Sequence, residues 1–280
     1  MNKASAFCGH GFDNTWDESV GLVLQVLDLP WDFDRDMWSC HLTKQERTAV
    51  SDAIERRVAG RVPSAYITGK AYFCGLPFNV DERVLVPRSP ISELIEHGFS
   101  PWLVTQPKRI MDLCTGSACI GIACAYAFPD AQVDCLDVSA DALAVAQLNV
   151  DSHNMDEQVT LFQSDVFEAL PQNLSGTYDL IVSNPPYVDQ QDIDAMPAEY
   201  HKEPMLGLAS GEDGLDITRQ ILREAGTWLS PDGVLIVEVG NSGEALEAAY
   251  PDVAFTWLEF EHGGHGVFMV TAAQLQSREW

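Results

Sequence analysis

Tyr178-Asp179-Leu180-Ile181-Val182-Ser183-Asn184-Pro185-Pro186-Tyr187 is the stretch on which the reading of this chain turns. Its apolar half follows Gly176 and stops at two prolines, the pattern of a buried parallel strand that ends abruptly. In open α/β sheets ligands collect beyond such strand ends. Pro185 confines Asn184 to extended backbone angles, and each proline fixes its own φ. Neither proline offers an N–H, so the loop presents the Asn184 side-chain oxygen and the Pro185 carbonyl as acceptors, with Pro186 as a stiffener and Tyr187 as a flat face. That arrangement suits a planar NH2 donor on an amide or a base; the plainer alternative is a proline-stiffened turn.

Outward from this stretch, strand and helix patterns alternate. Strands are expected at Arg109–Cys114, Gln132–Asp137, Val159–Gln163, Tyr178–Ser183 and Gly233–Val239, with helices over 117–127, 139–151, 214–229 and 242–249. Alternation of this kind implies βαβ units and a mostly parallel sheet. Val253–Phe260 and Val267–Thr271 read as a closing antiparallel pair. The fold class expected is therefore α/β, a doubly wound, mostly parallel sheet.

Before it, residues 14–70 read as helical, with an apolar block at Val20–Leu27 and a second segment opening at Leu42-Thr43 and running to about Ala59. Arg47, Arg56, Arg57 and Arg61 alternate there with acids, as on a solvated face. Gly69, Gly75 and Pro77 break the helical pattern, and Phe78–Asp81 with Arg83–Val86 read as a hairpin. Three domains follow as an expectation: a small helical N-terminal domain over 1–71, a β-hairpin linker over 72–104 and a catalytic domain over 105–280.

The chain of 280 residues carries 16 basic and 42 acidic side chains, a net charge of −26. Residues 1–70 hold 8 basic and 10 acidic side chains, so nearly all of the excess lies beyond them. Such a surface repels phosphate backbones and favours a basic partner; direct nucleic-acid binding is not expected. Seven scattered cysteines without C-x-x-C pairs or a histidine cluster argue against a metal site and a disulfide framework. With no apolar leader and no span-length apolar run, the expectation is a cytoplasmic protein without membrane attachment.

After the first strand of the alternating region comes Asp112-Leu113-Cys114-Thr115-Gly116-Ser117-Ala118-Cys119-Ile120-Gly121. Small residues let a ligand approach the backbone, and the next strand ends in Asp137, where an acid bonds ribose hydroxyls. A nucleoside cofactor is indicated. The spacing Gly116-x-Ala118-x-x-Gly121 also fits a relaxed dinucleotide fingerprint. An acceptor loop for NH2, however, has no evident use in hydride transfer and suits methyl transfer from S-adenosylmethionine.

Taken in order, Asp112-Leu113-x-Thr115-Gly116-Ser117, Asp137, Ser164-Asp165-Val166-Phe167 and Asn184-Pro185-Pro186-Tyr187 resemble the protein-glutamine N-methyltransferases that modify release factors and a ribosomal protein. Val84–Ile91, Glu203-Pro204, Gly211–Leu215 and His262–Phe268 resemble the branch acting on large-subunit ribosomal protein L-three. The resemblance implies a Rossmann-like, S-adenosylmethionine-dependent enzyme and a basic protein substrate met before ribosome assembly. It assigns cofactor binding to Asp112, Cys114, Thr115, Gly116, Ser117, Asp137, Asp165, Val166 and Asn184, and catalysis to Asn184, Pro185, Pro186 and Tyr187. The family turn usually carries glycine where Cys114 and Ala118 stand, so the Ala118 methyl is expected close to the cofactor. Asp192, Asp194, Glu199 and Glu203 read as solvated loop charges. Rival readings are a release-factor glutamine methyltransferase, an adenine-amino methyltransferase acting on nucleic acid, and a non-catalytic nucleoside-binding module.

Overall fold

The computed structural model describes residues 6–9, 11–12, 14–278 and 280. Helix α1, Thr15–Val26, begins where the Asn14 side chain accepts from the Trp16 and Asp17 amides. Helix α2, Lys44–Val58, opens on a capping box between Thr43 and Glu46, and the short α3 spans Ser64–Thr68. These caps satisfy amide donors that an uncapped helix leaves orphaned.

Strands β1, Lys70–Phe73, and β2, Leu76–Asn79, then pair antiparallel. The hairpin thus sits earlier than the sequence pattern suggests. Cys74 and Gly75 both adopt left-handed angles, φ +48° and +72°, the two-residue turn that matches strand twist. Residues 83–86 form no strand: the Asp81 carbonyl accepts from the Val84 amide, which bends the chain away from β2.

After α4, Ile91–Glu96, the alternating region runs β3 Arg109–Leu113, α5 Cys119–Ala127, β4 Gln132–Asp137, α6 Ala140–His153, β5 Val159–Gln163 and β6 Tyr178–Ser183. It continues with α7 Gln190–Ala195, α8 Asp216–Trp228, β7 Leu229–Glu238, α9 Gly243–Ala249, β8 Thr256–Trp257, β9 Val267–Thr271 and α10 Ala272–Gln276. Seven strands form one sheet in the order β5-β4-β3-β6-β7-β9-β8. The pairings from β5 through β7 are parallel, and β9 runs antiparallel to both β7 and β8. The closing pair is present, but its first strand shrinks to two residues.

Strand residues alternate between two cores. Ile110, Leu180, Val182 and Ile236 pack with Ile122 and Val145 on one face; Met111, Ile181 and Leu235 pack with Ile221, Leu222 and Trp228 on the other. Burial on both faces is why these strands read as unbroken apolar runs, and each fully buried aliphatic side chain contributes about 1.5–3 kcal/mol. Strand order reverses between β3 and β6, which opens a crevice at their carboxyl ends. The turn after β3 and the proline loop after β6 both emerge there, tied by Ser183 Oγ donating to the Leu113 carbonyl at 2.8 Å.

The N-terminal helices reach the loop that follows β6 through charge. Arg57 is only 1% exposed, contrary to a solvated face. It donates to Glu18 Oε1 at 2.5 Å, to Glu199 Oε1 at 3.1 Å and to the Phe7 carbonyl at 2.6 Å, while Ser64 Oγ donates to Glu18 and Arg61 to Glu199. Burial alone would raise the Glu18 carboxyl, but the hydrogen bonds from Arg57, Ser64 and Cys8 outweigh it and hold the group below its ordinary value. Glu199 behaves likewise, with the Phe7 amide and Arg57 overcoming burial.

Candidate active site

A cavity of about 430 Å³ lies at the carboxyl ends of β3, β4, β5 and β6. Cys114, Thr115, Gly116, Ser117, Asp137, Asp165, Val166, Asn184, Pro185, Pro186 and Tyr187 all line it. Four separate loops therefore deliver their sequence-marked residues to one space.

The turn after β3 is built from left-handed residues, with φ +58° at Cys114, +55° at Gly116 and +62° at Ala118. Glycine adopts these angles freely, which explains a preference for it at the first and third positions. The Ala118 methyl is fully buried with the α5 core and does not line the cavity, so the expected crowding of a cofactor is absent. The Thr115 amide donates to the Leu136 carbonyl, and the Gly116 amide to Asp137 Oδ2 at 2.8 Å. Asp137 also accepts from the Ser139 amide at 2.9 Å, and burial raises its carboxyl.

Asp112 does not reach the cavity. Two-residue alternation puts it on the same face as Ile110, under α5, where its Oδ2 accepts from Thr115 Oγ1 at 2.5 Å and from the Gly121 amide at 2.9 Å. Gly121 serves this packing rather than a ligand: a Cβ there would lie 2.2 Å from Cys135 Sγ and 3.1 Å from Asp112 Oδ2. The second oxygen, Oδ1, has no hydrogen-bond partner among the described residues, and burial pushes the carboxyl up to about 7. Between pH 4 and 7 the folded state then keeps a proton that the unfolded state has lost, so this group's contribution to stability falls as pH rises through that window. The stability advantage of the wild type over Asp112→Asn should shrink between pH 5 and pH 8 in thermal melts. A constant difference would contradict it.

Beyond β5, the Ser164 amide donates to the Asp137 carbonyl, and the chain turns at Val166 with φ +43°. Asn184 is half-buried, and its side-chain amide makes no hydrogen bond to another described residue. Tyr187 is held on several sides. Its hydroxyl donates to Glu238 Oε1 at 2.9 Å, its carbonyl accepts from Ser242 Oγ at 2.8 Å, and a Cβ on Gly240 would lie 2.6 Å from its ring.

A further part of the lining was not assigned from the sequence. Residues 83–89 form it together with Tyr200 and residues 206–209. Glu203 holds it: Oε1 accepts from the Val86 amide at 2.9 Å, and both oxygens accept from Arg88 at 2.6 Å. The Arg88 guanidinium lies 5.1 Å from the centre of the Tyr200 ring. Glu199 and Glu203, 2% and 4% exposed, are thus buried, partnered acids rather than solvated charges. Asp194 is exposed, and Asp192 lines the cavity mouth, accepting from Asn241 at 3.3 Å. The stiff Pro87-Arg88-Ser89-Pro90 run was the one local signal for this wall.

Comparison with known proteins places this architecture. The family described as "Methyltransferase small domain" matches residues 98–200. By shape, the chain resembles the hMettl16 catalytic domain in complex with MAT2A 3'UTR hairpin 1, with a TM-score of 0.57 over 95% of this chain and 93% of that one. At 16% identity that likeness speaks for the fold alone. Much nearer in sequence is a protein of Francisella tularensis named ribosomal protein uL3 glutamine methyltransferase, 47% identical over 98% of this chain and 87% of its own length. A protein of the same name from Neisseria gonorrhoeae is 48% identical over 100% of this chain and 93% of its own length. A chain this similar along its whole length to both belongs to the family of ribosomal protein uL3 glutamine methyltransferases.

Proposed function

We propose that this protein methylates the side-chain amide nitrogen of a glutamine in ribosomal protein uL3, using S-adenosylmethionine. The observation that carries the reading is the Asn184 amide, which makes no hydrogen bond to another described residue and lines the same cavity as Asp137 and Gly116.

The residues present fit that cofactor. Left-handed backbone at Cys114 and Gly116 brings main-chain atoms to the cavity wall, and Asp137 presents a carboxylate at the end of β4. Asp137 would bind the ribose hydroxyls, Asp165 and Val166 the adenine, and Cys114–Ser117 would border the methionine portion. Asp112 acts from behind, by holding Thr115 and Gly121. S-adenosylmethionine supplies, when bound, an electrophilic methyl on a sulfonium.

The chain's own task is to align a poor nucleophile. An amide lone pair is delocalised, so the nitrogen reacts only when it is held in line with the carbon it attacks. The Asn184 oxygen and the Pro185 carbonyl accept the two hydrogens of the target NH2, Pro185 and Pro186 keep those acceptors fixed, and the Tyr187 ring flattens the amide. Adenine would satisfy the same acceptors, but the charge of −26 disfavours a nucleic-acid substrate.

Radiolabelled cofactor incubated with extract from cells lacking the enzyme tests the reading directly. A labelled band at uL3 is the expected result; label on nucleic acid or on a release factor instead would replace it. Acids of the loop over 189–216 would also steer a basic substrate, met in the cytoplasm before RNA covers it. Two of them, Glu199 and Glu203, are already neutralised by arginines, which leaves Asp192 and its exposed neighbours to act. Raising salt from 0.05 to about 0.5 M should then increase KM for uL3 several-fold with kcat little changed. A KM independent of salt would discard steering. The division into an N-terminal helical domain over 1–71, a linker over 72–104 and a catalytic domain over 105–280 completes the proposal.

A further inference from the structure

Strand β7 ends in Glu238, a carboxylate only 5% exposed that the transfer described above does not use. Each of its oxygens takes one hydroxyl from a different segment lining the cavity. Oε1 accepts from Tyr187, on the proline loop, at 2.9 Å; Oε2 accepts from Ser89, on the extended segment before α4, at 2.6 Å. Ser89 Oγ in turn accepts from the Ile91 amide at 3.2 Å, which anchors that segment to the start of α4.

The other restraints on Tyr187 act elsewhere along the side chain. Ser242 fixes its carbonyl and Gly240 packs against one edge of its ring. Among the described residues, the bond to Glu238 is what holds the phenolic end in place. Arg88, whose charge acts on both Tyr187 and Glu238, does not take over the bond, because its fork is committed to Glu203. Burial raises the Glu238 carboxyl, whereas the bonds from Ser89 and Tyr187 and the charge of Arg88 act in the opposite direction.

We propose that Glu238 is a positioning residue: by holding Tyr187 and Ser89 on separate oxygens, it sets the aromatic ring beside the target amide relative to the extended segment that carries Ser89. The role given to Tyr187 rests on the function proposed above. Without Glu238 the ring tilts, and the amide no longer sits in line with the carbon it attacks. A displacement of about 1 Å at a reacting centre lowers rates by roughly 10²-fold.

Two independent readouts test this. The first needs no turnover: in the ligand-free protein with labelled tyrosine, a slowly exchanging hydroxyl proton should be seen by NMR and assigned to Tyr187 by its loss in Tyr187→Phe. It should vanish in Glu238→Ala and persist in Glu238→Gln, whose side chain keeps the volume and can bond both hydroxyls. A resonance unchanged in Glu238→Ala overturns the proposal.

The second readout is kinetic. Glu238→Ala should lower kcat by about 10- to 100-fold with cofactor affinity by calorimetry held within about twofold, and Glu238→Gln should restore most of the loss. Combining Glu238→Ala with Tyr187→Phe should cost no more than the worse single change, because both break one bond. Fully additive losses, or a parallel fall in cofactor affinity, overturn the proposal. Should the wild type methylate nothing, the function proposed above fails and the hydroxyl resonance alone decides the place of Glu238.

Discussion

Replacing Asn184 with alanine should lower methyl transfer by about 10²–10³-fold, the loss typical when an active site loses one oriented polar group. The substitution removes a side chain with no hydrogen bond to another described residue, so it breaks no internal contact of that kind. Pro185 and Pro186 still fix the loop, and Ser183 still ties β6 to β3 through the Leu113 carbonyl. In the role proposed above, what disappears is one of the two acceptors for the target NH2, which leaves the amide free to rotate about its remaining bond. Asn184 would be one cofactor contact among many, and Asp137, Gly116 and Asp165 are untouched, so cofactor affinity should fall by no more than about threefold, an energy difference under 1 kcal/mol. Single-turnover rates with saturating substrate, beside calorimetric titration of the cofactor, separate the two effects. Near-normal transfer would refute the assignment of Asn184.

Arg57→Met should destabilise the fold by about 3–5 kcal/mol, the cost of leaving buried charge uncompensated. Methionine fills similar space, yet it donates nothing. Among the described residues, Glu18 would then keep Ser64 and Cys8 as side-chain donors, and Glu199 Arg61 and the Phe7 amide, while the Phe7 carbonyl loses its guanidinium partner. Both carboxyls lie below their ordinary values in the folded state, so their contribution is complete at neutral pH and fades as pH falls through those depressed values. The difference between wild type and Arg57→Met in urea titrations should accordingly narrow in acid. A loss under 1 kcal/mol at pH 7 with an unchanged m-value would show that the cluster stabilises little.

Strand positions were legible because a two-faced parallel sheet writes itself as short apolar runs: Val159–Gln163 and Tyr178–Ser183 match their observed limits. The loops that carry the chemistry were legible for a related reason, since glycine, proline and acids gather where those runs stop. Local pattern fails where the decisive partner is remote. Glu203 looks like any loop acid, yet its partners are Val86 and Arg88, more than a hundred residues earlier. Arg57 and Glu199 are separated still further. Asp112 and Asp137 show a subtler limit. Both point to the same face, Asp112 standing beside Cys135 in the register, but Asp137 lies two residues farther along, at the last position of β4, and so reaches the cavity while Asp112 stays under α5. The hairpin was misplaced because a turn at Cys74-Gly75 needs a non-glycine residue in left-handed backbone, which composition does not announce.

Val166 carries a consequence for association. A β-branched residue at φ +43° sits outside the comfortable regions of backbone space, a cost of about 1–3 kcal/mol that surrounding burial must offset. Val166 and Phe167 are both packed against the core, so this contour is moulded while the polypeptide folds. The entropy of shaping that recess is thereby charged to the native state once, and an adenine bound as proposed above would meet a mould that has no need to reorganise around it.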